Sequence, residues 1–301
     1  METLSRRESV DPDVILARIT DRKSANALLV IDNPLPTFYT AEFQQHIRKD
    51  RVRLMIITFR HDCHFVADIV HNQSLLSLQQ DYSIEPYTRL LLGPCYTILD
   101  NAFYRELHKA EKKGISVSAK TLLLSFGGVD GTNLTLRVVS ALAKMKNAPQ
   151  HIIVVVGAFY AFLDDLKAMI SQNLQLSVDL RINTSEMPAL MAQSDIAITS
   201  GGLTVWELAC LGVPNIIIST SERERQHSLL LEKKGLCCYL GHQNKVSQKQ
   251  IIRAVATLIG NEKRRRALAQ ASKQMVDGQG LNRVIEQMIE VLRGSRDLID
   301  I

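Results

Sequence analysis

Two adjacent glycines, Gly201 and Gly202, stand in the stretch Ile196-Ala-Ile-Thr-Ser-Gly-Gly-Leu-Thr-Val-Trp-Glu-Leu208 and carry the sharpest chemical signal in this sequence. A strand-like apolar run ends, the glycines turn the chain, and a helical pattern begins. Residues without a Cβ let the backbone approach a ligand closely. The amino end of the helix adds unpaired N–H groups and the positive end of its dipole, which together suit a phosphate. Glu207 lies one turn into that helix, where a carboxylate can accept both hydroxyls of a ribose. Thr204-x-x-Glu207 also spells a capping box, and an acid is favoured in any first turn. These residues alone leave both roles open.

A second glycine turn, Ser125-Phe-Gly-Gly-Val-Asp-Gly-Thr-Asn133, follows another strand-like run. In an open parallel sheet, loops at the carboxyl ends of strands line the ligand crevice, so Gly127, Gly128, Gly201 and Gly202 are expected on one edge. The plain alternative is a turn at Asp130-Gly131, with Asn133 or Thr135 capping the next helix. Neither stretch matches Gly-x-Gly-x-x-Gly or the phosphate loop with its lysine, which disfavours NAD and ATP.

Other clusters read as structural. His61-Asp-Cys-His64, with His71 nearby, has no standard zinc spacing, and the reading includes no metal site and no cofactor. Cys237 and Cys238 lie in an apolar stretch and are expected in the core. Trp206 is expected to pack on the sheet. The run Lys263 to Arg266 lacks interleaved aromatics, so it reads as a solvated helix face and not a nucleic-acid patch.

From Lys120 onward, short runs rich in Ile, Val and Leu alternate with helical segments. That pattern predicts a parallel, doubly wound sheet covered on both faces. Gly212 and Pro214 end one helix and open the next strand. The first 119 residues are less regular. ANALLVID and VRLMIITF read as strands, TAEFQQHIRK as a helix and VADIV as a third strand, and RELHKAEKKG reads as a linker. This makes a thin first domain.

The chain has 301 residues, 46% apolar and 22% charged, with a net charge of +5, an ordinary globular balance with a weak cationic bias. Five cysteines, an odd number with no Cys-x-x-Cys pair, point to a reducing compartment. The longest apolar run, Ile152 to Leu163, falls well short of the roughly 20 residues of a membrane span. The expectation is a soluble cytoplasmic protein with no membrane span.

These segments resemble the nucleotide-sugar domain of GT-B proteins. They resemble most nearly the family of UDP-2,4-diacetamido-2,4,6-trideoxy-beta-L-altropyranose hydrolases of pseudaminic acid synthesis, with its relatives in spore coat polysaccharide synthesis. The UDP-GlcNAc transferase that makes lipid II is more distantly similar. The resemblance rests on SFGGVDGTNLT, SDIAITSGGLTVWELACLGVPNIII, QHSLLLEKKG, VDGQGLNRV and, upstream, LLGPCYTILDNAF. It implies a GT-B-like α/β fold of two Rossmann-like domains, the N-terminal one incomplete. Residues 1–115 would form that partial domain. Residues 119–301 would form the nucleotide-sugar-binding domain, with the last helix packing back on the first.

The resemblance also implies roles. Gly201 and Gly202, with the helix that Thr204 opens, would hold the UDP diphosphate. Glu207 would bind the ribose, and the Ile182 backbone the uracil edge. Gly127 and Gly128 would face the sugar and phosphate, and Gln226 would contact the sugar.

Family members open on a Gly-x-Gly-His-x-x-Arg loop whose histidine serves the chemistry. This sequence has no such motif, and Asp32-Asn33-Pro34 replaces an upstream Asp-x-Tyr-like position. The catalytic residue is therefore unassigned. Three readings follow: a UDP-sugar hydrolase, a non-catalytic UDP-sugar binder or half of a split enzyme completed by a partner chain, and a glycosyltransferase with its own acceptor. A shifted start or a truncation would equally explain the missing loop.

Overall fold

The computed structural model describes residues 11–20, 27–49 and 52–294. They divide into two compact units, Leu99–Gly278 and, as the other, the residues up to Ile98 together with those from Gln279 onward.

The first unit contains α1 (Pro12–Thr20), β1 (Leu28–Ile31), α2 (Ala41–Lys49), β2 (Arg53–Ile57), β3 (His64–Phe65), β4 (Ile69–Asn72), β5 (Ser83–Ile84) and β6 (Arg89–Leu92). The second contains α3 (Asn101–Lys113), β7 (Thr121–Ser125), α4 (Leu134–Leu142), β8 (His151–Val156), α5 (Leu163–Gln172) and β9 (Val178–Ile182). It continues with α6 (Met187–Gln193), β10 (Ile196–Thr199), α7 (Thr204–Leu211), β11 (Asn215–Ser219), α8 (Glu222–Lys233), β12 (Cys238–His242), α9 (Gln248–Gly260) and α10 (Glu262–Met275). The last helix, α11 (Gly280–Arg293), belongs to the first unit.

In the first unit, β1-β2-β4-β6 form a parallel sheet, and β3 pairs with β5. Buried Asp68 ties this sheet to α2: its carboxylate accepts from the Arg48 and Arg53 guanidiniums and from the Leu54 amide. Val284 of α11 packs with Met55, Ile69 and Leu91, and the Arg283 guanidinium donates to the Cys95 carbonyl at 2.9 Å.

The second unit is a six-stranded, wholly parallel sheet in the order β12-β11-β10-β7-β8-β9. Leu122, Leu124, Ile196, Ile198, Ile216 and Ile218 join a core with α4, α5 and α9. The intervening Leu123, Ala197 and Ile217 are equally buried. Both faces are covered, which is why these strands read as continuous apolar runs. Helices α3, α6, α7 and α10 pack among themselves.

Two sequence expectations need correction. Residues 99–113, read as the end of the first domain and its linker, fold as α3 and belong to the second unit, because that helix packs on α6 and α7. The run from Lys263 to Arg266 is not uniformly solvated. Arg265 is 1% exposed, and its guanidinium donates to the carbonyls of Leu258, Ile259, Ser116 and Val117. It closes the carboxyl end of α9, a task that the fixed fork of donors on arginine suits.

Among the described residues, no helix is long and apolar enough to cross a membrane.

Asp195 sets the two strands that carry the glycine turns side by side. At the start of β10, its Oδ2 accepts from the amides of Lys120 and Thr121 at 2.8 and 3.0 Å, and Lys113 pairs with Oδ1 at 3.0 Å. Burial pushes its pKa up, but the two amides and the ammonium outweigh that and hold it below the usual carboxylate range. A lowered folded pKa adds stability above the unfolded value of about 3.9 and loses it as pH falls through the folded value. Asp195→Asn is therefore expected to cost about 1.5–3 kcal/mol at pH 7 in urea unfolding, with the gap closing in acid. A gap independent of pH would show that the charge contributes nothing.

Candidate functional site

Because every strand of the second unit runs the same way, the segments after β7, β8, β9, β10 and β11 emerge at one edge. Strands β7 and β10 are direct neighbours, with Ser125 opposite Thr199. The two glycine turns therefore leave adjacent strands. Gly127, Gly128, Gly201, Gly202, Thr204 and Glu207 come to this edge, together with Ile182 at the end of β9.

The two turns differ in how their helices begin. After β7, Asp130 folds back over α4, and its Oδ1 and Oδ2 accept from the amides of Leu134 at 2.9 Å and Thr135 at 2.8 Å. The sequence reading gave that capping role to Asn133 or Thr135. Asn133 instead adopts a left-handed backbone, φ 55°, and accepts from the Tyr160 hydroxyl at 2.5 Å. Gly127 and Gly128 are exposed, but the carboxylate of Asp130 already serves the amides behind them.

After β10, no side chain caps α7. The helix starts at Thr204, so Thr204 lies inside it, after Leu203, and the capping box does not form. The amides of Val205 and Trp206 bond the carbonyls of Gly202 and Leu203. Those of Gly202, Leu203 and Thr204 have no acceptor among the described residues. Three amides at the positive end of a helix form an anion cradle.

Glu207 is half-buried just behind this cradle. Burial pushes its pKa up, and the Thr204 hydroxyl, donating to the carboxylate, opposes the shift. Among the described residues it has no cationic partner. An ionised, poorly solvated acceptor gains from donors that a ligand brings.

Helix α8 forms the other wall. A Cβ on Gly201 would lie 2.8 Å from Ser228 Oγ and 3.0 Å from Glu224 Cβ, so the turn can lie against α8 only as glycine. At Gly202 the nearest atoms, Glu224 Oε1 and Ser200 Oγ, would both be 3.7 Å away, so the fold itself does not require a glycine there. Glu224 Oε2 accepts from the Thr220 amide and hydroxyl at 2.7 and 2.8 Å, and its other oxygen is the one nearest the Gly202 position. Buried His227 reaches the turn through Nδ1, 3.2 Å from the Gly201 carbonyl, with its ring centroid 5.2 Å from that of Trp206.

The sequence reading passed over Glu224 and His227. Glu224 and His227 stand two and five residues after Glu222, a spacing found on any amphipathic surface helix. Gln226, the residue of this helix expected at the sugar, is exposed, and its amide donates to Glu222 Oε1 at 3.3 Å.

At the far end of the edge, Asn183, φ 48°, donates to the Val156 carbonyl at 2.9 Å. Ladder groups alternate along a strand, so the amide and carbonyl of Ile182 point away from β8, on the open side of the terminal strand. They present one donor and one acceptor side by side, which suits the edge of a pyrimidine base.

His64 bonds Ser83 Oγ at 2.8 Å and Glu85 at 3.0 Å, and Asp62 pairs with Arg60. Among the described residues, no group of His, Cys, Asp and Glu could hold a metal ion.

Comparison with known proteins adds family to geometry. The chain is 25% identical to the spore coat polysaccharide biosynthesis protein SpsG of Bacillus subtilis over 221 residues, 72% of this chain and 63% of that one. It is 29% identical over 189 residues to an uncharacterized protein, MJ1062, of Methanocaldococcus jannaschii, covering 62% of this chain and 37% of that one. It therefore spans less than two thirds of either relative. The crystal structure of MurG from Acinetobacter baumannii superposes with a TM-score of 0.65 at 14% identity, over 93% of this chain and 77% of that one, which shows a shared GT-B α/β fold. The model of the glycosyltransferase family 28 C-terminal domain matches residues 122–288, the stretch that holds both glycine turns, Glu207 and all of α8. With more than half its length so matched, the chain belongs to the family of the glycosyltransferase family 28 C-terminal domain.

Proposed function

We propose that the second unit binds the UDP part of a nucleotide sugar along its sheet edge, and that the protein cleaves the bond between sugar and diphosphate. The observation that carries this reading is the uncapped start of α7, with the half-buried Glu207 behind it. The amides of Gly202, Leu203 and Thr204 receive the diphosphate. Glu207 accepts the ribose hydroxyls, with the Thr204 hydroxyl orienting it. The outward backbone of Ile182 pairs with uracil. Gly127 and Gly128 leave open space beside the diphosphate, since a Cβ on either would meet nothing within 4 Å.

The substrate we propose is a UDP-linked 2,4-diacetamido-2,4,6-trideoxyhexose, cleaved by water in surface polysaccharide synthesis. The similarity to SpsG and the hydrolase-like segments support this choice. Hydrolysis needs a positioned base as well as stabilisation of the leaving UDP, and each contributes to rate separately. The cradle supplies the second. A protein carrying only the cradle would bind UDP without turnover, which is the alternative reading.

Incubation of the purified protein with that UDP-sugar, without acceptor, is expected to release UDP over many turnovers. Tight UDP binding with no release would favour the binding-only reading, and release only on adding an acceptor would favour a transferase.

Glu207→Gln separates ligand binding from folding. A raised folded pKa means that the protonated form favours folding and that ionisation costs stability as pH rises through that value. The variant is therefore expected to melt at the wild-type temperature or above at pH 7 while losing about 1–3 kcal/mol of UDP affinity. Wild-type affinity is expected to fall more steeply in acid than that of the variant, which keeps only the dependence set by protonation of the UDP phosphate. Unchanged affinity with a lower melting temperature would make Glu207 a structural residue.

Gly202→Ala tests the close approach of the ligand. Melting is expected to be unchanged, because the site has room for a Cβ, while UDP binding falls at least about tenfold, the range set by overpacking. Equal losses in both would place the defect in the fold.

A further inference from the structure

We propose that His227 is a positioning residue, holding the Gly201 carbonyl toward α8 so that the next amide, Gly202 N–H, faces the ligand. The proposal rests on the UDP reading above and adds the element that aims its cradle.

A carbonyl oxygen only accepts, so the Nδ1 of His227 that meets Gly201 must carry the proton. In the neutral ring Nε2 is then a bare acceptor, and it has no partner among the described residues. Burial pushes the ring's pKa down, against the raising effect of the Gly201 bond. The ring is thus a fixed neutral donor. Its orientation is held by the edge-to-face packing on Trp206, itself 2% exposed.

The consequence follows from peptide geometry. Among the described residues no peptide bond is cis. In a trans unit the C=O of one residue and the N–H of the next point in opposite directions. Drawing the Gly201 oxygen inward to α8 therefore turns the Gly202 N–H outward. The glycine has many backbone conformations available, and without a tether the Gly201–Gly202 peptide plane could rotate and present its oxygen to an anion. The contact of Gly201 with Ser228 and Glu224 fixes where the turn lies, and His227 fixes which way its peptide plane faces.

The test uses UDP and uridine as probes on the full chain, by equilibrium titration. His227→Phe keeps a ring beside Trp206 but removes the donor. His227→Asn places an amide N–H near the position of Nδ1, whereas His227→Gln places it near Nε2. The expected result is a loss of about tenfold in UDP affinity for His227→Phe, the size of one hydrogen bond, with uridine affinity changed less than about twofold. His227→Asn is expected to recover most of the UDP affinity and His227→Gln little of it. The Asn and Gln pair decides the matter even if the Phe variant fails to fold, since both lose the ring. Equal losses for UDP and uridine, or equal behaviour of Asn and Gln, would overturn the proposal while leaving the UDP reading intact. Failure of the wild-type protein to bind UDP would overturn both.

Discussion

A helix that starts inside a protein leaves its first amides without acceptors, and each must meet a side chain, water or a ligand. Two helices of the second unit start beside each other on adjacent strands, and the chain treats them in opposite ways. Asp130 closes the amides of α4 with both carboxylate oxygens. Nothing closes those of Gly202, Leu203 and Thr204 among the described residues. The closed helix would repel an anion through the Asp130 charge, and the open one attracts it. One carboxylate thereby leaves only one of the two neighbouring helix starts with its amides free.

Everything around the cradle is arranged to keep it in that state. Asp195 holds the starts of β7 and β10 in line, so that their ends deliver both turns to one place. The missing Cβ at Gly201 lets the turn lie against α8. The carboxylates of Glu207 and Glu224 stand near an anion site, which would weaken it if their charge were its only effect. Each carboxylate instead has donors of its own. Glu207 accepts from the Thr204 hydroxyl behind the cradle, and Glu224 is anchored on Thr220 with its second oxygen toward Gly202. Free amides and carboxylate acceptors thus lie on different sides of the turn, which in the proposed reading orients a ligand carrying both phosphate and hydroxyls.

The sheet of the second unit was legible in the sequence because strands buried on both faces must be continuously apolar, and Leu122 to Leu124 and Ile216 to Ile218 could hardly be anything else. The glycine turn at Gly201 was legible for a similar reason, since a strand, two glycines and a helix leave few alternatives. What escaped depended on partners distant in the chain. The capping role of Asp130 could not be told from that of Asn133, because it rests on a left-handed turn and not on spacing. Arg265 looked like its charged neighbours until its carbonyl partners at Ser116 and Val117 were seen, nearly half the chain away. His227 carried no local signal, as its meaning lies in the Gly201 carbonyl 26 residues earlier. Strand β6 was hidden in a segment valued for its resemblance.

The central claim is that the anion meets α7 and not α4. Backbone amide NMR of the protein during UDP addition addresses it residue by residue. The account predicts that the largest changes in amide proton shift fall on Gly202, Leu203 and Thr204, while Leu134 and Thr135, already bonded to Asp130, move little. Changes centred on Leu134 and Thr135, or none anywhere on this edge at saturating UDP, would contradict it.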